Sequence, residues 1–299
     1  MASSARLAEA QECEKRAADC LKTSMIKLKF KPDFDGAATA LERASVCYRN
    51  ANDIKNAVRV LLEAAQHYEQ NGNIFHAAKA REGAAMLSRD SGDSASAYTY
   101  FEQAIDGYAM AGSLDTAAMT VEKAAKVIVQ GEPLKAIQLF EKGLALVQQS
   151  DRSKMAGEFL NQITKINLKL ERYNEAAKAI REEIEKYVEV KESPRVGQLA
   201  IGLILTQLAL EDSVAATKSF GWVLSVCPDF EFTDDARACQ QMIYNYENGD
   251  DEQFQNVLNC GSLKSMDNEY LRLQKKLKAP HSETAENGGN GDEDEDDLR

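Results

Sequence analysis

Residues 52–92 read NDIKNAVRVLLEAAQHYEQNGNIFHAAKAREGAAMLSRDSG, and the fold is decided by what returns in them every twenty positions. Asn52, Gly72 and Gly92 share one register, Ala57 and Ala77 follow five residues later, and Ala64 and Ala84 seven residues after those. Outward from this stretch, the first alanine column extends to Ala17, Ala37, Ala97 and Ala117, slips one residue to Ala136, and continues at Ala156 and Ala176. The second column adds Ala44, Ala104, Ala124 and Gly143. A fixed period of this size predicts stacked helical repeats. Pro32, Gly112 and Gly131 join the turn register, so each unit is a short turn followed by one helix.

Seven residues are about two helical turns, so both columns lie on one helix face. Larger apolar residues between them, among them Leu41, Val60, Leu61, Phe101, Val121, Leu139 and Phe140, complete an amphipathic stripe. Small residues on that stripe let helices approach closely. Tyr48, Tyr68 and Tyr108, near the helix ends, are placed to fill the wedge that alanine leaves. Alanine's helix propensity explains its abundance but not its period.

Turns this short make consecutive helices antiparallel. The expected fold is all-α: a right-handed solenoid of antiparallel helical hairpins, tetratricopeptide-like but with about forty residues per hairpin instead of about 34. Past Ala176 the next position is Val196, beside Pro194, and small residues resume at Ala215 and Ala236, which predicts a less regular capping bundle. The expected organisation is a repeat solenoid over 1–195, a C-terminal helical bundle over 196–279 and a flexible acidic tail over 280–299. A terminal cap is needed because the last repeat would otherwise expose its apolar face.

The net charge is −12 over 299 residues, and its distribution matters more than its size. From Pro280 to Arg299 there are eight acidic residues and one arginine, a charge of −7, which leaves −5 for the rest. So mild a body charge argues against nucleic acid as a partner. Met1–Ala10 is polar, with Arg6 and Glu9, and has no apolar core of a signal peptide. The longest apolar run, Leu199–Leu210, is interrupted by Gly202, Thr206 and Gln207 and is too short to span a bilayer. A soluble intracellular protein is expected. Cys13, Cys20, Cys47, Cys227, Cys239 and Cys260 form no CxxC pair and read as buried free thiols.

Catalytic signatures are missing from the sequence. His67, His76 and His281 are scattered, without HExxH or a cysteine at ligand spacing, and there is no P-loop, no GxGxxG after a strand and no GxSxG. Glu182 and Glu183 read as a solvated helix face. No enzyme and no cofactor is expected, which leaves surfaces. Lys27-Leu28-Lys29-Phe30-Lys31-Pro32-Asp33-Phe34 interleaves basic and apolar residues after the first helix. Such alternation suits an anionic membrane surface, with Phe30 at the headgroup boundary and each lysine adding about 1 kcal/mol, but one short loop binds a membrane only weakly, and on physics alone Leu28 and Phe34 read first as closing the first hairpin. At the other end, the spacer 287–291 (NGGNG) precedes Asp292-Glu293-Asp294-Glu295-Asp296-Asp297-Leu298-Arg299. Like charges keep such a segment extended. Its penultimate leucine suits a basic partner surface with a small apolar pocket.

These features together resemble the soluble NSF attachment proteins (SNAPs) over essentially the full length. The residues that carry the resemblance are the long helical hairpins, the Phe30/Phe34 loop, Cys227-Pro228-Asp229-Phe230 with Asp234-Asp235-Ala236-Arg237-Ala238-Cys239, and the terminal Asp297-Leu298-Arg299. Within the family the chain is most similar to the gamma form, given its lysine-rich Leu28–Phe34 loop and its Gly/Asn spacer. The resemblance implies an adaptor that coats a four-helix SNARE bundle of the syntaxin type and recruits the hexameric ATPase NSF, which pulls the bundle apart during intracellular vesicle traffic. It implies that Leu298 stimulates the ATPase and that Asp294, Glu295, Asp296 and Asp297 dock on its basic domain, with Asp235 on the same docking face. It further implies membrane contact through Lys27, Lys29, Phe30 and Phe34, and a peripheral place on the cytosolic face of ER, Golgi and other trafficking membranes. The positive charges of the alpha form have no counterpart near Met119 and Gln162, and Lys123, Lys154 and Lys165 are the neighbouring candidates for SNARE contact. Two other readings of the repeats stay open: a co-chaperone-like scaffold that clamps client peptides on its concave face, and an enzyme with a deep polar pocket.

Overall fold

A computed structural model describes residues 2–23, 30–148 and 152–280. Among them there is no strand. The helices are α1 (Ala2–Leu21), α2 (Phe34–Asn50), α3 (Ile54–Gln70), α4 (Ile74–Asp90), α5 (Ser94–Met110), α6 (Leu114–Ile128), α7 (Pro133–Gln148), α8 (Ser153–Lys169), α9 (Tyr173–Glu189), α10 (Ser193–Ala209), α11 (Ser213–Val226), a 3-10 turn (Pro228–Phe232), α12 (Asp234–Glu247), α13 (Asp251–Leu258), α14 (Gly261–Lys264) and α15 (Asn268–Gln274). They fall into two compact units, Met1–Gln162 and Ile163–Arg299, each with its own internal packing.

One turn motif sets the period. After α2, the N–H of Asn52 donates to the Arg49 carbonyl and the N–H of Asp53 to the Tyr48 carbonyl, with Asn52 at φ 64°. This is a Schellman ending. Asp53, its last residue, is also the N-cap of α3, its carboxylate accepting from the Asn56 N–H. One helix therefore ends and the next begins with no residue to spare. The same left-handed position returns at Gly72, Gly92 and Gly112, and again at Glu171, Lys191, Glu211 and Gly249. Between α6 and α7 the motif is replaced by two bonds to the Ile128 carbonyl, from Gly131 and Glu132, without a left-handed residue. With α6 two residues shorter than α5 and the connection after it one residue longer, the alanine column slips from 117 to 136.

Both columns are seams. Ala37, Ala57, Ala77, Ala97, Ala117 and Ala136 are 0% exposed. A Cβ on Gly107 would come within 2.9 Å of the Ala78 Cβ, and one on Gly143 within 2.7 Å of the Phe159 ring. The helix-end tyrosines fill the wedges and bind acids across the seam. Tyr48 donates to Glu14, which also takes Arg59 at 2.9 Å, so α1, α2 and α3 are tied together. Tyr68 donates to Glu42 at 3.1 Å, and Tyr108 to Glu82 at 2.6 Å.

In the second unit the spacing persists: Ala176, Val196 and Ala216 are fully buried and Ala236 nearly so. This corrects the expectation at one position, since Ala216 rather than Ala215 enters the core. The apolar run that begins at Leu199 belongs to α10, which is buried on every side among α9, α11, α12 and α15. A helix apolar all round is a central helix. Among the described residues no helix is long and apolar enough to cross a membrane.

Two sequence expectations give way to packing. Glu183 is 0% exposed instead of solvated, and Arg195 from α10 holds its carboxylate at 3.0 Å. The six cysteines are free, but Cys260 is exposed and Cys20 and Cys47 are half-buried, so only Cys13, Cys227 and Cys239 are core thiols.

Candidate functional site

Two described surfaces carry the residues singled out from the sequence. The first is the α1–α2 connection. Its base is pinned by the Asp33 N–H donating to the Cys20 carbonyl at 3.0 Å, and Asp33 then caps α2 through the Gly36 N–H at 2.8 Å. Phe30 projects from this connection 68% exposed. Phe34 opens α2 and is half-buried, its ring stacked on His67 of α3 at 6.0 Å and 25°. The structure thus separates the two phenylalanines: one faces solvent and the other packs on α3. Lys27 and Lys29 lie outside the described residues.

The second surface is the start of α12. Phe230 is fully buried against Phe220, whereas Phe232, two residues on, is 84% exposed. Thr233 fixes this split, its hydroxyl donating to the Phe230 carbonyl at 2.8 Å and accepting from the Ala236 N–H at 3.1 Å. Asp234 and Asp235 occupy the first turn of α12, where carboxylates oppose the helix dipole. Asp234 pairs with Arg237. Asp235 is half-buried against α10, in a space that exists because residue 197 is glycine: a Cβ there would lie 2.7 Å from an Asp235 oxygen. One turn further, burial and the Asp235 charge push the Cys239 thiol well above its ordinary pKa. The sequence reading named Asp235 and missed Phe232. Its signal was an apolar residue set between Glu231 and the Thr-Asp-Asp cap, where nothing in a helix period asks for one.

The three candidate lysines have different surroundings. Lys123 of α6 reaches Glu82 at 2.5 Å, on the carboxylate that also accepts from Tyr108, so its charge helps tie α4, α5 and α6. Lys154, in the first turn of α8, is exposed. Lys165, later in α8, pairs with Asp267 at 3.0 Å. Asp294, Glu295, Asp296, Asp297 and Leu298 lie outside the described residues. Among the described residues no three His, Cys, Asp or Glu side chains are grouped as metal ligands would be.

The family model for the soluble NSF attachment proteins matches residues 8–279. The chain belongs to the soluble NSF attachment protein family. Two curated SNAP relatives bear the name gamma-soluble NSF attachment protein. The one from Arabidopsis thaliana is 23% identical over 276 residues, covering 92% of this chain and 94% of the relative. The one from Dictyostelium discoideum is 22% identical over 249 residues, covering 83% and 76%. The resemblance to the gamma form read from the sequence agrees with both. The crystal structure of BtubC (BKLC) from P. vanneervenii superposes with a TM-score of 0.41 at 13% identity, covering 78% of this chain and 94% of that one. The SNAP match takes in the α1–α2 connection and the start of α12, and ends just before the acidic terminus.

Proposed function

We propose that this SNAP is a non-catalytic adaptor that binds SNARE complexes and recruits and stimulates NSF, so that the ATPase can take the complexes apart in vesicle-mediated transport. The observation that supports this most directly is the conjunction of a family match over 8–279 with a terminus of six consecutive acids followed by Leu298. In this reading Asp294, Glu295, Asp296 and Asp297 dock on a basic surface of the ATPase, Leu298 fills an apolar pocket there, and Asp235 extends the contact. Phe30, with Lys27 and Lys29, touches the cytosolic face of trafficking membranes, while Phe34 packs on His67 of α3. Lys123, Lys154 and Lys165 face SNARE complexes, through contacts whose electrostatic character makes them salt-sensitive.

Phe232 adds an apolar contact to the face that holds Asp235. Aromatic residues are prominent among those that dominate interface energetics.

The test is the ATPase rate of immobilised NSF with the intact chain, with a chain ending at Gly291, and with Leu298→Ala. Stimulation by the intact chain and its loss in both variants is expected. Equal stimulation by all three would overturn the role of the terminus. No stimulation by any of them would shift the weight to a peptide-binding scaffold, with the open groove of about 630 Å³ beside Lys55, Arg59, Gln66 and Tyr100 as the place to probe.

A further inference from the structure

A cleft of about 390 Å³ lies in the second unit between the end of α8, the α8–α9 turn and α15. Its floor is apolar: Leu168 and Leu273 are 6% and 4% exposed, and Tyr173 is half-buried beside them. Its rim carries Lys169, Arg272, Lys275 and Lys276, against two carboxylates, Glu171 and Glu269. Lys276 pairs with Glu171 across the cleft. On a chain whose net charge is −12, a rim with an excess of cations around an apolar floor is a local reversal that neither packing nor the repeat period requires.

We propose that this cleft is the docking site of the chain's own terminus, Asp292–Arg299. The complementarity has two parts. The consecutive acids 292–297 match the cationic rim, and Leu298 matches the floor of Leu168, Tyr173 and Leu273. Arg299, the lone cation of the segment, has Glu269 as its counterpart on the rim.

Reach allows the contact. The described chain ends at Pro280, four residues after Lys276 on the rim, and eleven residues, 281–291, separate it from Asp292. Eleven residues extend to at most about 36–40 Å. A tether this short places the segment at an effective concentration in the millimolar range, so individually weak, exposed ion pairs suffice to hold it. The cis contact stands by itself. Its consequence rests on the proposed function: the acids and leucine that engage NSF are withheld while they occupy the cleft, so adaptor and ATPase compete for one segment.

Zero-length carbodiimide cross-linking of the full chain, prepared as a mixture of nitrogen-14 and nitrogen-15 material and read by mass spectrometry, tests the contact directly. The telling link joins acids 292–297 to Lys169, across the cleft, because Lys275 and Lys276 are close to the terminus in sequence alone; Lys278, equally close and outside the lining, is the internal reference. The expected result is a Lys169 link between residues of one isotope, stronger than the link to Lys278 and lost in about 0.5 M salt and in both Arg272→Glu and Leu298→Ala. Links scattered over remote lysines such as Lys55 and Lys135, or links of mixed isotope only, would overturn the proposal. In the NSF assay, Arg272→Glu with Lys275→Glu should lower the half-maximal adaptor concentration by about threefold to tenfold. An adaptor that fails to stimulate NSF while keeping its Lys169 link would retire the proposed function and leave the docking site standing. Stimulation without the link would do the reverse.

Discussion

Arg195 shows how much one residue carries when it answers a buried charge. Glu183 is completely removed from solvent, and the Arg195 guanidinium, which also lies over the Tyr187 ring at 5.7 Å, compensates its charge. Removing one member of a buried pair leaves an uncompensated charge and costs about 3–5 kcal/mol. Arg195→Ala is expected to lower the unfolding free energy by that amount in urea denaturation, and Arg195→Ala with Glu183→Gln to recover much of it. The sequence hid this pair. Glu182 and Glu183 differ by one position on a helix rich in acids, and only the arrival of α10 decides which of the two is covered.

At the scale of the element, turn and seam each make a prediction. Gly92, at φ 87° with open space where a Cβ would stand, isolates the conformational term. Gly92→Ala should therefore cost about 1 kcal/mol. Glu211 occupies the same left-handed position with a side chain, at φ 58°. Glu211→Gly should stabilise by about 0.5 kcal/mol, the relief of strain exceeding the added entropy of the unfolded chain. Chemical denaturation of the two variants checks both signs. In the seam, Ala77 is 0% exposed, and Ala77→Leu should overpack it and cost about 1–3 kcal/mol. A loss under about 0.5 kcal/mol would mean that the seam yields and that the small residue is not what sets the helix spacing. The helices and their period were legible in the sequence because the turns at Asn52, Gly72 and Gly92 repeat one chemistry, a left-handed residue followed by a capping side chain. The continuation past Ala176 was harder to read. Of the left-handed residues there, Lys191 and Glu211 carry no turn signature, like Glu171 just before them, and only Gly249 does; Val196 replaces alanine in the seam.

For the molecule as a whole, charge is divided as function would use it. A tail of −7 follows a body of −5. Since the described cores contain no residue beyond Ala279, truncation after Gly291 should leave a cooperative transition in calorimetry, its midpoint lowered by no more than a weak contact in the cleft contributes, while abolishing stimulation of NSF. Loss of the cooperative transition would make the tail a structural element and remove the basis for docking. The candidate site was legible in part. The acidic terminus, Leu298 and Phe30 announce themselves as residues that a helical core has no use for. The exposure of Phe232 and the seating of Phe34 on His67 depend on a 3-10 turn and on a neighbouring helix.

By itself, the sequence determined the helical repeat, its twenty-residue register, the slip near Gly131, the membership of the SNAP family and the charge of the terminus. These are properties of neighbours along the chain: propensity, capping and periodicity act within a turn or two of helix, and net charge needs no fold. Tertiary structure alone decided which of two adjacent glutamates is buried, which of two phenylalanines faces solvent, which lysines are already held by carboxylates, and that a basic cleft with an apolar floor gathers Lys169 and Arg272 from positions about a hundred residues apart. Burial and pairing are set by which helices meet, and that information lies in contacts between segments far apart in the chain, where local propensity is silent.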